Sequence, residues 1–324
     1  MLADREHFTQ YFWGSTLLVS HFARARRLEE SLLLMAAVGP LATACGMLAT
    51  PRAETVHNYS RYLLPAPATN DAALNVIWLA HSVVLVDQSS SAIAGVPPAL
   101  ICEEDLIPSF DRPGIQYPWF KMPMADEEEV TKIWQSDAHL NLSTTVLFNM
   151  VLTIHREKNR SIHTEYSRLV KAFIRFHDSR LPSLSDAISD SNPHTLLSHA
   201  TLYGTSLIFH RMFAKEDVEA KLEMLRSAEK LVCICKQLHV HRHSYDVHSS
   251  LVPMVHMMNA VRVYAQELRR LEVRENAKLS TEYCNSIEVL LEFLSGMTAL
   301  YPVWEDSPVL LKDPLTVAME GLKI

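Results

Sequence analysis

Glycine is scarce, at 8 residues in 324, and several patterns that chemistry relies on are missing. No Gly-x-Ser-x-Gly occurs, so a serine hydrolase of the nucleophile-elbow type has no starting point. No P-loop or Gly-x-Gly-x-x-Gly occurs either, which excludes nucleotide binding by those motifs. The five cysteines (Cys45, Cys102, Cys233, Cys235, Cys284) are few, odd in number and set among apolar neighbours. They read as reduced, mostly buried thiols of an intracellular protein. A basic excess is also lacking: 30 Lys and Arg stand against 37 Asp and Glu, a formal charge of −7 with pI ≈ 6.1. That argues against coating nucleic acid by bulk charge. The N-terminal "MLADREHFTQYF" has no uninterrupted apolar stretch and does not read as a signal peptide. The longest apolar run, "SLLLMAAVGPLATACGML", is broken by Gly39-Pro40 and has no anchoring flank, so a core helix pair is expected there rather than a membrane span.

What is present is helical periodicity, with 48% hydrophobic residues to build a core. Phe8, Tyr11, Phe12, Ser15, Leu18 and Phe22 recur at three- and four-residue steps, predicting one apolar stripe. Leu28 to Val38 is apolar nearly all round and is expected to be central, with Pro40 kinking or ending it. A connector follows, with Pro51, Pro65 and Pro67 as breakers. Asn70 or Asp71 is then expected to cap a helix bearing Leu74, Ile77, Trp78, Val84 and Leu85 on one face. Residues of about 95–130 are rich in Pro and acids and read as irregular surface chain. Further helices are expected over Leu140–His155, Ser161–Asp178, from Pro193 behind an Asn192 cap, over Val218–Leu238, through "SLVPMVHMMNAVRVYAQELRRL" and through "TEYCNSIEVLLEFLSGMTALY". No segment alternates strictly and no repeat of fixed period appears. The fold class predicted is all-α without a sheet, and residues 1–324 read as one multi-helix domain.

"ALNVIWLAHSVVLVDQSSSAIAGVPPALICEEDL" resembles the core signature of the fungal-specific transcription factor regulatory domain. This is the middle homology region of zinc binuclear cluster factors of the xylanolytic-activator type. In that family an aromatic-bearing helix leads to an Asp-Arg pair and a Ser, then to a Gly-x-Pro turn, an apolar residue and an acidic pair. Trp78, Asp87, Ser90 or Ser91, Gly95, Pro97, Ile101, Glu104 and Asp105 stand in those places. "IQYPWF" (115–120), "YFWGSTLLVSHFARARRLEESLLLMAAVGPLATACGM" and "HTLLSHATLYGTSLIFHRMF" are similar to further family segments. The chain departs from the pattern at Gln88, where the family has Arg, and at Gly39-Pro40. No Cys-x-x-Cys or six-cysteine cluster occurs, so zinc would belong to a DNA-binding part this chain lacks. The resemblance implies a non-catalytic regulatory domain, begun part-way into the region and acting in the nucleus. Its partners would be other transcription proteins or a small-molecule effector, with no cofactor in this chain, no specific DNA binding and no membrane. A homodimer is possible on the same grounds. Trp78, Asp87, Gly95, Pro97, Glu104 and Asp105 would be structural members of the motif.

From its position near the end of a helix, the Asp87 carboxylate is expected to accept backbone N–H bonds from the following turn. The loudest chemical cluster is "CICKQLHVHRHSYDVHSS". His241 and His243 could chelate zinc on extended chain, giving a second reading as a helical metal-dependent hydrolase built on His239–His248. Cys233 and Cys235 lie two apart on a helix, on different faces, which opposes a shared ion. His199 and His210 sit three helical turns apart, as core histidines or as pocket lining. "DEEE" (126–129) reads as a solvated helix start, "RARR" (24–27) as too small for DNA contacts, and the mixed charges of residues 262–275 as a solvated face. A third reading is a purely structural interaction module.

Overall fold

The computed structural model describes residues 5–25, 27–45, 67–94, 96–100, 126, 128–129, 132, 136–156, 167–168, 170–172, 174–175, 178, 181–190, 192–240, 247–272 and 277–300. Of these 88% are helical and none lies in a strand, so the fold is all-α. The helices are α1 (Arg5–Arg24), α2 (Leu28–Ala44), α3 (Asn70–Ala94), α4 (Asp137–Arg156), α5 (Leu184–Asp190), α6 (Pro193–Arg211), α7 (Val218–Val240), α8 (Val247–Glu272) and α9 (Ala277–Leu300). Further helical residues lie between 167 and 178.

Two apolar clusters meet at α4. Leu142, Val146 and Met150, at helical spacing, face Phe12, Val19, Met35, Ile77 and Val83 of α1 to α3. Leu147, Phe148, Val151 and Ile154 join the second cluster on the other side, chiefly through α6, together with residues of α7, α8 and α9. Among the buried polar side chains of α4, Thr144 and Thr145 bond within the helix and Asn149 bonds α3. Thr144 and Thr145 hydroxyls donate to the carbonyls of Leu140 and Asn141, at 3.0 and 2.8 Å.

At the centre of the second cluster is α6, buried without interruption from Thr195 to Phe209. Asn192 caps it as expected, accepting from the N–H groups of His194 (3.0 Å) and Thr195 (3.4 Å), with Pro193 at the first position. Gly204 sets how closely α6 meets α8. A Cβ there would lie 1.9 Å from His256 Cγ and 2.2 Å from His256 Cβ, the base of the side chain rather than its mobile tip. His256 is wholly buried, and its ring meets Phe148 edge-on at 4.3 Å. Neither ring nitrogen has a hydrogen-bond partner among the described residues. Burial lowers its pKa to about 3, so the imidazole is neutral.

Several expectations are corrected. The buried stripe of α1 is Phe12, Ser15, Thr16, Val19, Ser20 and Ala23, while Tyr11 and Leu18 face solvent. α1 is apolar on several faces, so periodicity alone did not select one. The hydroxyl-bearing face lets α2 approach, and the Ser31 hydroxyl of α2 donates to Val19 O of α1 at 2.9 Å. α2 is peripheral rather than central, with Leu33 71% exposed. It also runs through Pro40 as one helix, not a pair. Pro40 and Ala36 are both exposed, so the Ala36 carbonyl that proline leaves without an N–H faces water. Thr69, not Asn70 or Asp71, caps α3, accepting the Ala72 N–H at 3.2 Å. α5 was not expected; a serine N-cap starts it, Ser183 accepting the Asp186 N–H (3.2 Å) and donating its hydroxyl to Asp186 Oδ2 (2.6 Å). Within residues 262–275, Glu267 is buried rather than solvated, paired with Lys221 of α7 at 2.7 Å and with Arg270. Among the described residues only α3 is long and apolar enough to cross a membrane, and 83% of that window is buried inside the protein.

Gly204→Ala is expected to destabilise the fold by about 3 kcal/mol or more, at the upper end of overpacking costs. Adding His256→Ala should recover part of that loss in urea melts, because the two sites couple directly. A Gly204→Ala protein melting like wild type would contradict the packing. Because the His256 pKa is depressed on folding, its contribution is full above about 6.5 and is lost as pH falls toward 3. His256→Leu should therefore flatten the acid limb of stability against pH, measured by thermal melts from pH 7 to 4.

Candidate functional site

The last turns of α3, Val86 to Ile93, are buried on every side. The helix closes with the Val96 N–H donating to Ser91 O at 3.0 Å, a six-to-one bond that reverses the chain. The returning backbone is then clamped by side chains. Asp87, 1% exposed, accepts the Ala99 N–H on Oδ1 (3.1 Å) and the Leu100 N–H on Oδ2 (2.9 Å). Gln88 Nε2 donates to Leu100 O at 3.2 Å, and Asn149 of α4 donates to both Gln88 O and Gln88 Oε1 at 2.8 Å. Residues 87 and 88 thus bond both the N–H and the C=O of Leu100. Its side chain lies over Gly39, where a Cβ would meet Leu100 Cδ2 at 3.0 Å. Gln88 links the turn to α4 with neutral hydrogen bonds.

Desolvation raises the Asp87 pKa to about 6, and the bonds from Leu100 and Ala99 oppose that rise without cancelling it. Of the other motif residues, Trp78 is half-buried with its ring edge-on to His81 at 5.8 Å, and Pro97 is exposed. Gly95, Glu104 and Asp105 lie outside the described residues, as does "IQYPWF". The structure therefore brings Asp87 and Gln88 onto one turn and holds Trp78 more than two helical turns away.

The histidine-rich connector is only partly described. His241, His243 and Asp246 lie outside it. His239 is 3.9 Å from Glu292 Oε1, Cys233 is exposed, and Cys235 is buried with its thiol directed at Val289 O (3.7 Å). Among the described residues no group of three His, Cys, Asp or Glu is placed to hold a metal ion. "DEEE" starts a solvated turn, with Asp126 accepting the N–H groups of Glu128 and Glu129 at 3.0 Å. Arg27 of "RARR" is taken up by Phe22, 4.6 Å to the ring centre, and by Glu30 at 2.8 Å.

A polar cavity of about 520 Å³ lies between α6, α7 and the helical residues of 171–178. Helical spacing aims Tyr203, Ser206 and His210 into it from α6, and Glu219, Glu223, Arg226 and Lys230 from α7. Lys171, Arg175 and Asp178 form the third wall. Lys230 Nζ sits 4.1 Å over the Tyr203 ring, and the Tyr203 hydroxyl donates to Asp178 Oδ1 at 3.2 Å. The Ser227 hydroxyl donates to Ser206 Oγ at 3.1 Å. Desolvation and Lys171 hold His210 below its ordinary pKa, against the carboxylates of Glu223, Asp217 and Glu219. His199 does not reach the cavity lining. It stacks on Tyr203 and its Nε2 is 3.0 Å from Pro182 O. Sequence reading found His210 but missed the rest, because each charge taken singly looks like ordinary solvated surface.

No protein family, curated protein or solved structure matches this chain. The Asp87 corner and the cavity therefore have to be read from their own geometry.

Asp87→Ala leaves two backbone N–H groups without their acceptors and should cost about 1–3 kcal/mol in denaturant melts. The Asp87 pKa is raised on folding, so the folded state holds the extra proton between 3.8 and about 6. Its stabilising contribution is full below 3.8 and declines as pH rises through 6. The gap between wild type and variant should accordingly be wider at pH 4 than at pH 7. Equal stabilities at both values would show that the corner is not held by this carboxylate.

Proposed function

We propose that this chain is a non-catalytic regulatory domain of the fungal transcription factor type, controlling transcription through an effector or through protein contacts. The observation that carries this reading is the Asp87 clamp. The acidic residue of the motif serves a backbone turn, binding Ala99 and Leu100. Support comes also from the cavity, whose volume falls in the usual range for small-ligand sites. On this reading the domain works in the nucleus, DNA recognition belongs to a zinc cluster elsewhere, and this chain binds no specific DNA sequence.

A specific feature favours the interaction-module reading as second. Tyr11 and Leu18 on one flank of the buried stripe of α1, and Trp13 and Leu17 on the other, are exposed, Leu17 at 66%.

Fused to a heterologous DNA-binding domain, the chain should change reporter output at least threefold relative to that domain alone, and Asp87→Ala should abolish the change. Unchanged output, or specific DNA shifts by the purified chain alone, would overturn the proposal. For the second reading, light scattering should report a dimer or larger species that Leu17→Glu disperses; a wild-type monomer would remove it.

A further inference from the structure

Resting on the interaction-module reading and naming its partner, we infer that the outer face of α1 is a dimer interface, on which a second copy of the chain lays its own α1 antiparallel about a two-fold axis at Gly14.

The first two helices expose a surface without formal charge. Asp, Glu, Lys and Arg make up 21% of the chain, yet none falls at 7–23 in α1 or at 31–44 in α2. Both stretches have solvent-facing residues: Tyr11, Trp13, Gly14, Leu17 and Leu18 on α1, and Leu33, Ala36, Ala37 and Pro40 on α2. Helix α7, by contrast, exposes Glu219, Arg226, Glu229 and Lys236. Depletion of charge is the compositional mark of an interface centre.

The relief of α1 suits a helix. At about 100° per residue, Gly14 is in the middle of the outer face, opposite the buried Phe12, Val19 and Ala23. Tyr11 and Leu18 rise on one side of it, and Trp13 and Leu17 on the other. His7, Gln10 and His21 are exposed in the furrow between these ridges. A Cβ built at Gly14 would meet nothing within 4 Å, so the floor of the furrow is open there. Ridges packing into such grooves are how helices dock.

Three observations select a second copy as the occupant. A crossing at Gly14 with two-fold symmetry sets Leu17 against the partner's Tyr11 and His21 against the partner's His7, so the face complements itself. A face with no charge gives a different protein little to steer by, and brings no formal charges together when it meets its own copy. The area is also sufficient. The exposed parts of Tyr11 (47%), Trp13 (38%), Leu17 (66%) and Leu18 (49%), with the furrow residues, come to about 650 Å². Two copies would bury about 1,300 Å², within the range of stable interfaces. A lipid surface fits less well. Pro40 leaves the exposed Ala36 carbonyl of the neighbouring helix without an N–H, and hydrocarbon cannot satisfy it.

The test uses the full chain. Light scattering at about 50 µM should report a dimer. Because Gly14 faces open space, Gly14→Ala should melt no lower than wild type in dilute solution, yet weaken dimerisation about tenfold by crowding the crossing. Gly14→Cys, in a Cys233→Ser background that removes an exposed thiol, should oxidise to a dimer whose disulfide maps to position 14 of both copies. A dimer that Gly14→Ala leaves unchanged and that gives no such cross-link would overturn the crossing while the interaction-module reading stands. A chain that stays monomeric, including one that floats with phosphatidylcholine vesicles, would overturn both.

Discussion

The burial of α6 on all sides is the constraint from which the rest of the C-terminal half follows. A helix with no solvent face must be approached by neighbours from every direction, so its own surface sets their distances. At Gly204 that distance is so short that the base of the His256 side chain occupies the place of a Cβ. The contact draws α8 onto α6, and α4 covers another side through Phe148, which meets the same histidine. The remaining side is covered by α7, its most extensive neighbour. Ser206 and Ser227, bonded to each other, line the polar cavity together with the longer charged residues of both helices.

Two buried ionisable groups show how differently burial can be tolerated. Asp87 retains both backbone N–H partners, and its pKa still rises to about 6. Hydrogen bonds offset part of the desolvation but do not replace a full water shell. His256 has no hydrogen-bond partner among the described residues and remains buried by staying neutral. The first is a polar clamp that fixes chain direction; the second is an aromatic-like filler that carries unused nitrogens. Glu267 takes a third course and stays buried by pairing with cations from two helices, Lys221 and Arg270.

Much of the helical order was legible along the chain, because caps and breakers act over a few residues. Asn192-Pro193 announced α6, and the accepting role of Asp87 could be read from its place near a helix end before Gly95-Val96-Pro97-Pro98. Even α5, which was missed, carries its signal in the spacing of Ser183 and Asp186. Faces were less legible. Tyr11 and Leu18 look as suitable for a core as Phe12 and Val19, and Leu33 as suitable as Met35. The choice between them was made by hydroxyls on α1 and by where α2 found room.

The sequence by itself determined that the chain is helical, where most helices begin, and that Asp87 would serve the turn after α3, since each depends on groups within about a dozen residues. Tertiary structure alone decided that α6 rather than α2 is central, that His256 lies against Gly204, and that carboxylates and cations of three chain segments line one cavity. These depend on distances between residues far apart in the chain, and such distances arise only when packed surfaces exclude one another.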